Sequence, residues 1–460
     1  MLYRSTRGQV DPIPFSEAVL MGLADDGGLL VPEHIPQLDC LPNLANLSYP
    51  QLARLVMRPF VDLEDAILDE LLEKSYGPDY GGPVAPVKSV GPFGVLELFH
   101  GPTLAFKDVA LQFLGRLFDQ ILRQRGQVLN VVAATSGDTG SAAIHGLRHC
   151  QRAQIFVMHP SGRIAPLQEL QMTTVLDRGV YNLAVEGTFD DCQQLLKQLS
   201  GDLDFKLRHH LGAVNSVNWA RVLAQIVYYF AAYFQVARYP EPVRFAVPTG
   251  NFGNILAGWF AQAMGLPLEQ LVLASNRNDI LPRFFRQGSY RRGEVHHTLA
   301  PAMDIQVSSN FERFLYFALG ESATRQAMAD FESGGSLEAR PDHPFQAVAC
   351  PDEEILATIT RVHGQHDYLL DPHTASAWWA AEQFDSPLPT VVVATAHPAK
   401  FPDAIERALG RPLAVHPRLE ALKGLPTRRF ELPNQLSALR DFVAARANPL
   451  SVSRQAAGTD

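Results

Sequence analysis

One supersecondary pattern recurs along the chain and constrains its fold more than any other feature. A short apolar run, rich in β-branched residues, leads into a loop of glycine and small polar residues, and a helical stretch follows. Runs that are apolar at successive positions are typical of parallel strands covered on both faces. The clearest instances are 128–134 before TSGDTG, 243–247 before PTGNFGN and 390–394 before TAHPAKF, with further strands predicted at 95–98, 155–158, 182–185 and 271–274. The pattern predicts an α/β fold with parallel-rich sheets flanked by helices.

The length of 460 residues exceeds what one ordinary core supports, so two lobes with a cleft are expected. A stretch at 325–356 that is interrupted by glycine and proline is predicted to be a surface loop region, and the last dozen residues a frayed tail. The predicted segments are an N-terminal segment at 1–92 packed on the body, a first α/β lobe at 93–240, a second α/β lobe at 241–410, and a C-terminal segment with tail at 411–460.

Charge and composition argue against several classes of protein. A formal charge of -9 gives no electrostatic reason to expect nucleic acid or an anionic membrane as a partner. The N-terminus lacks the apolar core of a secretory signal, and the longest apolar stretch, 222–237, contains two glutamines and is predicted to be a buried helix. The cysteines lie too far apart for a metal or redox pair and are predicted to be reduced thiols of a cytoplasmic protein. They are Cys40, Cys150, Cys192 and Cys350.

A lysine opens the helix predicted in FHGPTLAFKDVALQF, directly after a Gly-Pro turn. The N-terminus of a helix carries partial positive charge, which disfavours the ammonium form of Lys107 and favours the neutral amine that a nucleophile needs. A solvated surface lysine beside Asp108 is the alternative interpretation.

The loop at 135–140, TSGDTG, follows a predicted buried strand and opens a helix near Ser141. Its glycines let backbone N–H groups and hydroxyls approach an anion closely. The loop is therefore either a phosphate cradle or a seat for a substrate carboxylate against a cofactor ring, and a plain helix cap is the alternative without a ligand.

The second loop, TGNFGN at 249–254, also joins a strand to a helix. It lacks both the Lys-Ser/Thr ending of a nucleotide P-loop and the three glycines of a dinucleotide fingerprint. A single phosphate group held by backbone amides fits it better than ATP or NAD does.

The third loop, at 394–401, places the hydroxyl of Thr395 at the end of a predicted strand. His397 in this loop is more typical of a helix-capping or core histidine than of a catalyst.

Taken together and in this order, HGPTLAFKD, TSGDTG, PTGNFGN and TAHPAKF resemble the motif set of the threonine synthases. The chain is similar to the longer-chain branch of that family, within the tryptophan-synthase-β-like enzymes. The likeness extends to GLADDGGLLVP, HPSGRIAPLQ, NSVNWARVLAQIVYYF and SNRNDILPRF, and so covers most of the chain. This resemblance implies a two-lobed fold type II enzyme that depends on pyridoxal 5'-phosphate (PLP), with an N-terminal extension.

Carried over motif by motif, the resemblance implies a catalytic Lys107 that holds PLP as a Schiff base, and Thr395 at the pyridine nitrogen. Related shorter enzymes carry asparagine where this chain has Asp138, which leaves the role of that carboxylate open. The cofactor phosphate would be held by Gly250, Asn251, Phe252, Gly253 and Asn254. The substrate carboxylate and the ring oxygen of the cofactor would meet Ser136, Gly137, Asp138 and Thr139.

The activity that the resemblance implies is a carbon–oxygen lyase reaction on a phosphate ester, the last step of threonine biosynthesis. O-phospho-L-homoserine and water would give L-threonine and phosphate. Many members of the family carry lysine where this chain has Arg163, which keeps the positive charge. Candidates for the substrate phosphate are Arg163, Asn215, Asn218, Arg221 and Lys400, of which at least two are expected to be surface or helix-end residues.

Two other functions remain open from the sequence. The same fold and cofactor could eliminate phosphate or deaminate a hydroxy amino acid to give a 2-oxo acid. A non-catalytic relative that binds PLP or phosphorylated ligands for regulation would be expected to have lost the lysine. A monomer or homodimer without a metal is predicted.

Overall fold

The computed structural model describes residues 1–39, 41–339 and 341–448. The strands are β1 (Leu2–Ser5), β2 (Ile13–Pro14), β3 (Leu30–Pro32), β4 (Val87–Val90), β5 (Phe93–Glu97), β6 (Leu129–Ala134), β7 (Ala153–Pro160), β8 (Val180–Val185), β9 (Leu211–Gly212), β10 (Val243–Pro248), β11 (Leu268–Ser275), β12 (Ser289–Tyr290), β13 (Leu337–Glu338), β14 (Phe345–Ala349), β15 (Thr390–Ala394) and β16 (Phe430–Leu432). The helices are α1 (Phe15–Met21), α2 (Tyr49–Met57), α3 (Asp65–Tyr76), α4 (Lys107–Arg125), α5 (Asp138–Leu147), α6 (Pro166–Thr173), α7 (Phe189–Gly201), α8 (Leu203–Arg208), α9 (Trp219–Val236), α10 (Gly253–Ala263), α11 (Ile280–Gln287), α12 (Phe311–Leu319), α13 (Glu321–Glu332), α14 (Asp352–His366), α15 (Pro372–Glu382), α16 (Pro402–Leu409), α17 (Pro417–Glu420) and α18 (Leu436–Ala444).

The chain divides into two compact units, each made of two separate stretches of sequence. The first comprises Met1–Phe113 and Asn215–Lys423, and the second comprises Leu114–Val214 and the residues from Gly424 onward. The four segment boundaries expected from the sequence remain a prediction, and the predicted tail, the last dozen residues, lies outside the described residues.

A six-stranded sheet forms the centre of the first unit, in the order β14-β11-β10-β15-β5-β4. All neighbours in it are parallel except β4, which is antiparallel to β5. Every residue of β10 and of β15 is buried, as expected for parallel strands covered on both faces. Helices α10 and α15 both pack against β10 and β11, and Trp378 of α15 is part of the hydrophobic core. This unit also contains an antiparallel sheet in the order β2-β1-β3.

The second unit contains a parallel sheet in the order β16-β8-β7-β6-β9. Its core is formed by strand residues such as Phe156 and Leu183 together with Leu195 of α7 and Val443 of α18. The predicted strands at 128–134, 243–247 and 390–394 are confirmed within one residue at each end. The predicted α/β fold class is therefore confirmed.

The prediction of a surface loop region at 325–356 is wrong. The structure has the end of α13, both β13 and β14, and the start of α14 there. The glycines and prolines mark element boundaries: Gly334 and Gly335 follow Ser333, the C-cap of α13, and Pro351 precedes α14. The apolar run of β14 is paired with β11. Glycine and proline residues at the ends of short helices and strands therefore produced the sequence pattern of a long loop.

The predicted buried helix at 222–237 is confirmed as α9, whose residues from Trp219 through Phe230 are all buried. Among the described residues, no helix is both long and apolar enough to cross a membrane. Cys150, Cys192 and Cys350 are free thiols, whereas Cys40 lies outside the described residues.

Candidate active site at the carboxyl edge of the six-stranded sheet

Three of the loops singled out in the sequence leave the same edge of one sheet. The strands β10, β15 and β5 are successive parallel neighbours, with Ala246 paired to Val392 and Ala394 paired to Glu97. The loops that follow them carry the GNFGN motif, Thr395 and the HGPTLAF segment before Lys107. Ligands of open parallel sheets bind outside the carboxyl ends of the strands, so this edge is the candidate site.

The loop before Lys107 is bound to the loop that contains Thr395. Phe106 N–H donates to the carbonyl of Thr395 at 2.8 Å, and His397 N–H donates to the carbonyl of Leu104 at 3.0 Å. Leu104 has a φ of 61°, which is a left-handed conformation that costs a non-glycine residue about 1 kcal/mol or more. Lys107 begins α4 immediately afterwards, as predicted, and its side chain is half-buried.

A buried polar cluster lies next to Lys107 in sequence. Asp108 is fully buried, and its carboxylate accepts hydrogen bonds from the N–H of Thr103 at 2.8 Å and from its hydroxyl at 2.7 Å. Burial raises the pKa of Asp108 to about 6, although both hydrogen bonds and the charge of Lys400 act in the opposite direction. The ammonium of Lys400 is 1% exposed and donates to the carbonyl of Thr103 at 2.8 Å. Lys400, a predicted phosphate ligand, thus braces the loop before Lys107.

His397 caps a short helix in the same edge of the sheet. Its Nδ1 accepts from Ala399 N–H at 3.1 Å, and its ring lies 4.7 Å from that of His416. Burial, followed by the neighbouring His416 and His100, lowers the pKa of His397 to about 4. The side chain is therefore neutral near pH 7, and capping is its visible role.

The GNFGN loop forms a turn that ends at the first residue of α10. Phe252 has a φ of 63°, and the first hydrogen bond of the helix runs from Leu256 N–H to Phe252 C=O. The N–H groups of Gly253 and Asn254 precede that bond and have no acceptor within the helix, which suits an anion. A Cβ added to Gly250 would lie 2.6 Å from the carbonyl oxygen of Ala302, so only glycine fits there.

Asn254 provides a direct test of whether this loop suits a phosphate. Its Oδ1 accepts from the hydroxyls of Tyr228 and Tyr229, the latter at 2.9 Å. Its Nδ2 is buried and has no hydrogen-bond partner within the described residues. A buried donor without an acceptor costs about 1–3 kcal/mol, and a ligand oxygen would relieve that cost. The loop thus fits the phosphate of PLP.

The side chain of Phe252 points into an aromatic cluster and not toward a ligand. It is 1% exposed and lies 5.5–6.1 Å, between ring centroids, from four other phenylalanines. These are Phe285, Phe311, Phe314 and Phe345. The cluster anchors the loop from behind.

The segment Ser308-Ser309-Asn310, which directly precedes α12, also holds the GNFGN loop and was missed in the sequence. The hydroxyl of Ser308 donates to the carbonyl of Gly250 at 2.7 Å, and that of Ser309 donates to Oδ1 of Asn251 at 3.1 Å. The only local signal was a run of small polar residues before a helix, which is typical of any helix cap.

The TSGDTG loop belongs to the second unit, where it follows β6 and opens α5 at Asp138. Thr135 Oγ1 accepts from the N–H groups of Gly137 at 3.0 Å and Gly140 at 2.8 Å. Gln168, which is buried, donates from Nε2 to the carboxylate of Asp138 at 3.0 Å. Ser136 is exposed, and so is Arg163 after β7. Gln168 is a further residue that the motif comparison did not single out.

The segment at 215–221 belongs to the first unit. Asn215 is exposed, whereas the carboxamide of Asn218 caps α9 through Ala220 N–H and donates to the carbonyl of Val19 at 2.9 Å. Arg221 is buried, and burial lowers its pKa to about 10. The substrate roles predicted for these residues, and for the other site residues, remain predictions.

Known proteins resemble the chain along almost its whole length. Family models described as threonine synthase N terminus, pyridoxal-phosphate dependent enzyme, and threonine synthase C-terminal match residues 2–76, 93–396 and 374–443. The threonine synthase of Pseudomonas aeruginosa is 46% identical, over 97% of this chain and 99% of its own. The crystal structure of PLP-bound threonine synthase from Brucella melitensis is 41% identical, with a TM-score of 0.93 over 97% of this chain and 100% of that chain. That of the yeast enzyme is 39% identical, with a TM-score of 0.90 over 97% and 98%.

Proposed function

Because the chain belongs to the threonine synthase family of fold type II PLP enzymes, we propose that it converts O-phospho-L-homoserine and water to L-threonine and inorganic phosphate. The family and fold class expected from the four motifs are thereby confirmed. One observation supports the proposal more than any other: the loops that carry Lys107, Thr395 and GNFGN follow three adjacent parallel strands of one sheet.

The residues at this edge suit PLP in their chemistry. When bound, PLP supplies an electron-withdrawing ring system that stabilises negative charge at the carbon bearing the substrate amine. Lys107 would hold the cofactor covalently, and the GNFGN amides with Asn254 Nδ2 would hold its phosphate. A neutral hydroxyl at Thr395, where other PLP enzymes carry a carboxylate, would leave the pyridine nitrogen largely unprotonated.

Lys107 would also move the protons of the reaction. The amine Nζ of Lys107, when it is not bonded to the cofactor, would be the base that accepts the proton from Cα of the substrate. The net reaction would also require loss of a proton from Cβ, departure of phosphate from Cγ, addition of the hydroxyl group of water at Cβ, and delivery of protons to Cγ and Cα, and Lys107 would serve most of these proton transfers. Lys107 is half-buried at the first residue of α4, directly after the loop that is bound to the Thr395 loop.

The substrate itself would be bound through its two anionic ends. The loop at Ser136–Thr139 would meet the carboxylate, with N–H groups at the start of α5 as donors. A desolvated phosphate needs charge-assisted donors. The five candidates are Arg163, Asn215, Asn218, Arg221 and Lys400. Arg163 and Asn215 are exposed, and the side chains of Asn218 and Lys400 also make hydrogen bonds that cap or brace neighbouring segments.

The test is an assay of the purified holoenzyme with O-phospho-L-homoserine, in which threonine, phosphate and 2-oxobutyrate are all measured. Threonine and phosphate in equal amounts are expected. Formation of 2-oxobutyrate instead of threonine would support the sibling reaction, in which phosphate is eliminated and a 2-oxo acid is released.

The same assay on Lys107→Ala tests the assignment of the lysine. We expect loss of the visible absorption of the bound cofactor and a drop in turnover of at least about 10³-fold. Lys74→Ala, at an exposed lysine of α3 paired with Glu70, is the matched control and should leave both unchanged. Reduction of the wild-type holoenzyme with borohydride should attach the cofactor permanently to Lys107. Retained activity in Lys107→Ala would reject the assignment.

A cytoplasmic location and a monomeric or homodimeric assembly are part of the same proposal. The proportions of apolar and charged residues, which are those of a globular protein, support the location. The free thiols at Cys150, Cys192 and Cys350 support it as well. Cell fractionation and light scattering of the purified protein test the two points separately.

A further inference from the structure

The segment Ser308-Ser309-Asn310 contacts two loops that are distant from each other in sequence. One is the GNFGN loop at 250–254, called here the phosphate loop. The other is the loop at 215–218, called here the substrate loop, which contains Asn215 and leads to Arg221. All three stretches belong to the first compact unit.

Asn310 joins the two loops through their backbones. It is fully buried, and its Nδ2 donates to the carbonyl of Asn251 and to the carbonyl of Ser216, at 3.1 Å each. The backbone N–H of Asn310 donates to Asn251 C=O as well, also at 3.1 Å. One carboxamide thereby fixes the distance between the phosphate loop and the substrate loop.

A buried arginine determines which way the Asn310 carboxamide faces. Arg313 donates to Oδ1 of Asn310, to the carbonyl of Val217 in the substrate loop, and to the carbonyl of Leu30 at 3.1 Å. Burial lowers the pKa of Arg313 to about 9. A flipped Asn310 would place its NH₂ group against the guanidinium and its oxygen against two carbonyls. The observed orientation is therefore the one that satisfies every group.

Ser309 connects the same two loops through side chains. Its hydroxyl donates to Oδ1 of Asn251 at 3.1 Å and lies 2.9 Å from the hydroxyl of Ser216. A hydroxyl has only one proton to donate, so Ser216 must be the donor to Ser309. The result is a directional relay from Ser216 through Ser309 to Asn251.

Ser308 differs from its two neighbours, since its hydroxyl donates to Gly250 C=O and the bond involves the phosphate loop alone. Ser308 provides an internal control, because it is also a serine, lies next to Ser309 and contacts the same phosphate loop. Among the described residues, its hydroxyl makes no hydrogen bond to the substrate loop. A comparison of Ser308 with Ser309 can therefore separate general support of the phosphate loop from a connection between the loops.

From these contacts we propose that Ser309 and Asn310 are positioning residues that couple the phosphate loop to the substrate loop. Cofactor binding in one loop then orders the donors of the other, and each ligand is bound more tightly when the other is present. The inference rests on the proposed function, because it takes PLP and a phosphorylated amino acid as the two ligands.

The first test compares Ser309→Ala, Ser216→Ala and their double variant as holoenzymes. Two quantities are measured: the dissociation constant of PLP, and the KM for O-phospho-L-homoserine at saturating PLP. Loss of one relay bond should raise both quantities roughly three- to tenfold. The double variant should be no worse than Ser309→Ala alone, since that variant already removes both bonds of the relay.

Two further serine variants provide the matched controls. Ser308→Ala should raise the dissociation constant of PLP but leave KM within about twofold. Ser333→Ala, at an exposed serine that donates only to Asp330 C=O, should change neither. A purely structural role for Ser309 would lower the melting temperature and the active fraction, and leave KM of the folded enzyme unchanged.

Asn310→Asp gives a stronger perturbation of the same connection. The carboxylate would keep the contact with Arg313 but would face the carbonyls of Asn251 and Ser216 without a proton to donate. A loss of kcat/KM greater than that of Ser309→Ala is expected. If this variant does not fold, the serine variants still decide the question.

The failures of the two proposals can be told apart. A wild-type holoenzyme that forms no threonine overturns the proposed function and this inference with it. A wild-type enzyme that does form threonine, together with an unchanged KM in Ser309→Ala or with multiplying effects in the double variant, overturns the coupling alone.

Discussion

The two glycine-containing loops of this chain look alike in sequence but are held in different ways. The phosphate loop at 250–254 is supported from behind by three polar residues at 308–310, by the hydroxyls of Tyr228 and Tyr229, and by a cluster of aromatic rings. The loop at 135–140 is braced by its own Thr135 and by Gln168. Its residue Ser136 is exposed.

This difference shows that a glycine-rich turn after a buried strand does not by itself form a rigid ligand-binding loop. What makes the phosphate loop preorganised is the set of distant residues that satisfy its carbonyls and side chains, so that its N–H groups remain for a ligand. The loop at 135–140 has fewer such restraints, which suits a segment that meets a substrate arriving and leaving in each turnover.

The largest expected effect comes from removing the aromatic anchor of the phosphate loop. Phe252 is buried among four phenylalanine rings, so Phe252→Ala should lower the free energy of unfolding by about 3–5 kcal/mol. Ser136→Ala, at an exposed position of the other loop, should change it by less than about 0.5 kcal/mol. Urea unfolding followed by circular dichroism measures both, and equal effects would remove the contrast between the loops.

A companion variant separates packing from backbone strain at the same residue. Alanine keeps the Cβ that disfavours the φ of 63°, whereas glycine removes it. Phe252→Gly should therefore be no less stable than Phe252→Ala, although glycine costs more entropy elsewhere in a chain. A clearly less stable glycine variant would show that strain at Phe252 is unimportant.

The sequence predicted the local parts of this site and missed the distant ones. Strands β6, β10 and β15 were found because each is apolar at successive residues, and the start of α4 at Lys107 was found from the Gly-Pro turn before it. Ser309 and Asn310 act across 58 and 94 positions of sequence, respectively, through hydrogen bonds that no local pattern encodes. Sequence also did not reveal the hydrogen bonds of Asn218 and Lys400 within the fold, and the substrate roles of these two residues stay predictions.

A pH dependence extends the comparison to the third loop of the same edge. His397 binds a proton near pH 6.5 when unfolded, but its folded pKa is about 4 because of burial and the nearby His416 and His100. Between these values the unfolded state binds more protons, so the free energy of unfolding falls as the pH drops from 6.5 toward 4. From pH 7.5 to 5.0 the contribution of this one group is a loss of about 2 kcal/mol.

His397→Asn removes the titrating ring and keeps an oxygen that can cap the helix through Ala399 N–H. Between pH 7.5 and 5.0 the free energy of unfolding of this variant should fall by about 2 kcal/mol less than that of the wild type. Urea unfolding at both pH values measures the difference. His34→Asn, at an exposed histidine, should behave as the wild type does. If both variants follow the wild type, acid weakens this sheet edge through another group, such as Glu97, where burial acts to raise the pKa but the hydrogen bonds to His100 and Tyr368 lower it overall.

A smaller effect is expected when a methyl group is added within the phosphate loop. Gly250→Ala would place Cβ 2.6 Å from the backbone oxygen of Ala302, where little can move, and should weaken PLP binding roughly tenfold or more. In Gly253→Ala the added Cβ would meet only the side chain of Asn310, with Nδ2 at 3.3 Å, so this variant should weaken PLP binding less than about threefold. Titration of the apoenzyme with PLP measures both, and an equal effect of the two would show that the loop adapts freely.

The smallest effect is expected in the other loop, and it decides what that loop does. Gln168 donates to the Asp138 carboxylate, so Gln168→Ala removes a brace from the residue that would meet the substrate carboxylate. If the loop at 135–140 is a substrate seat, KM should rise roughly three- to tenfold while the dissociation constant of PLP stays within about twofold. Gln168→Glu should raise KM further and increasingly toward high pH, because two carboxylates would then face each other. If Gln168→Ala weakens PLP binding as much as Gly250→Ala does, both loops are cofactor cradles, and the contrast between a rigid cradle and a substrate-contacting loop fails.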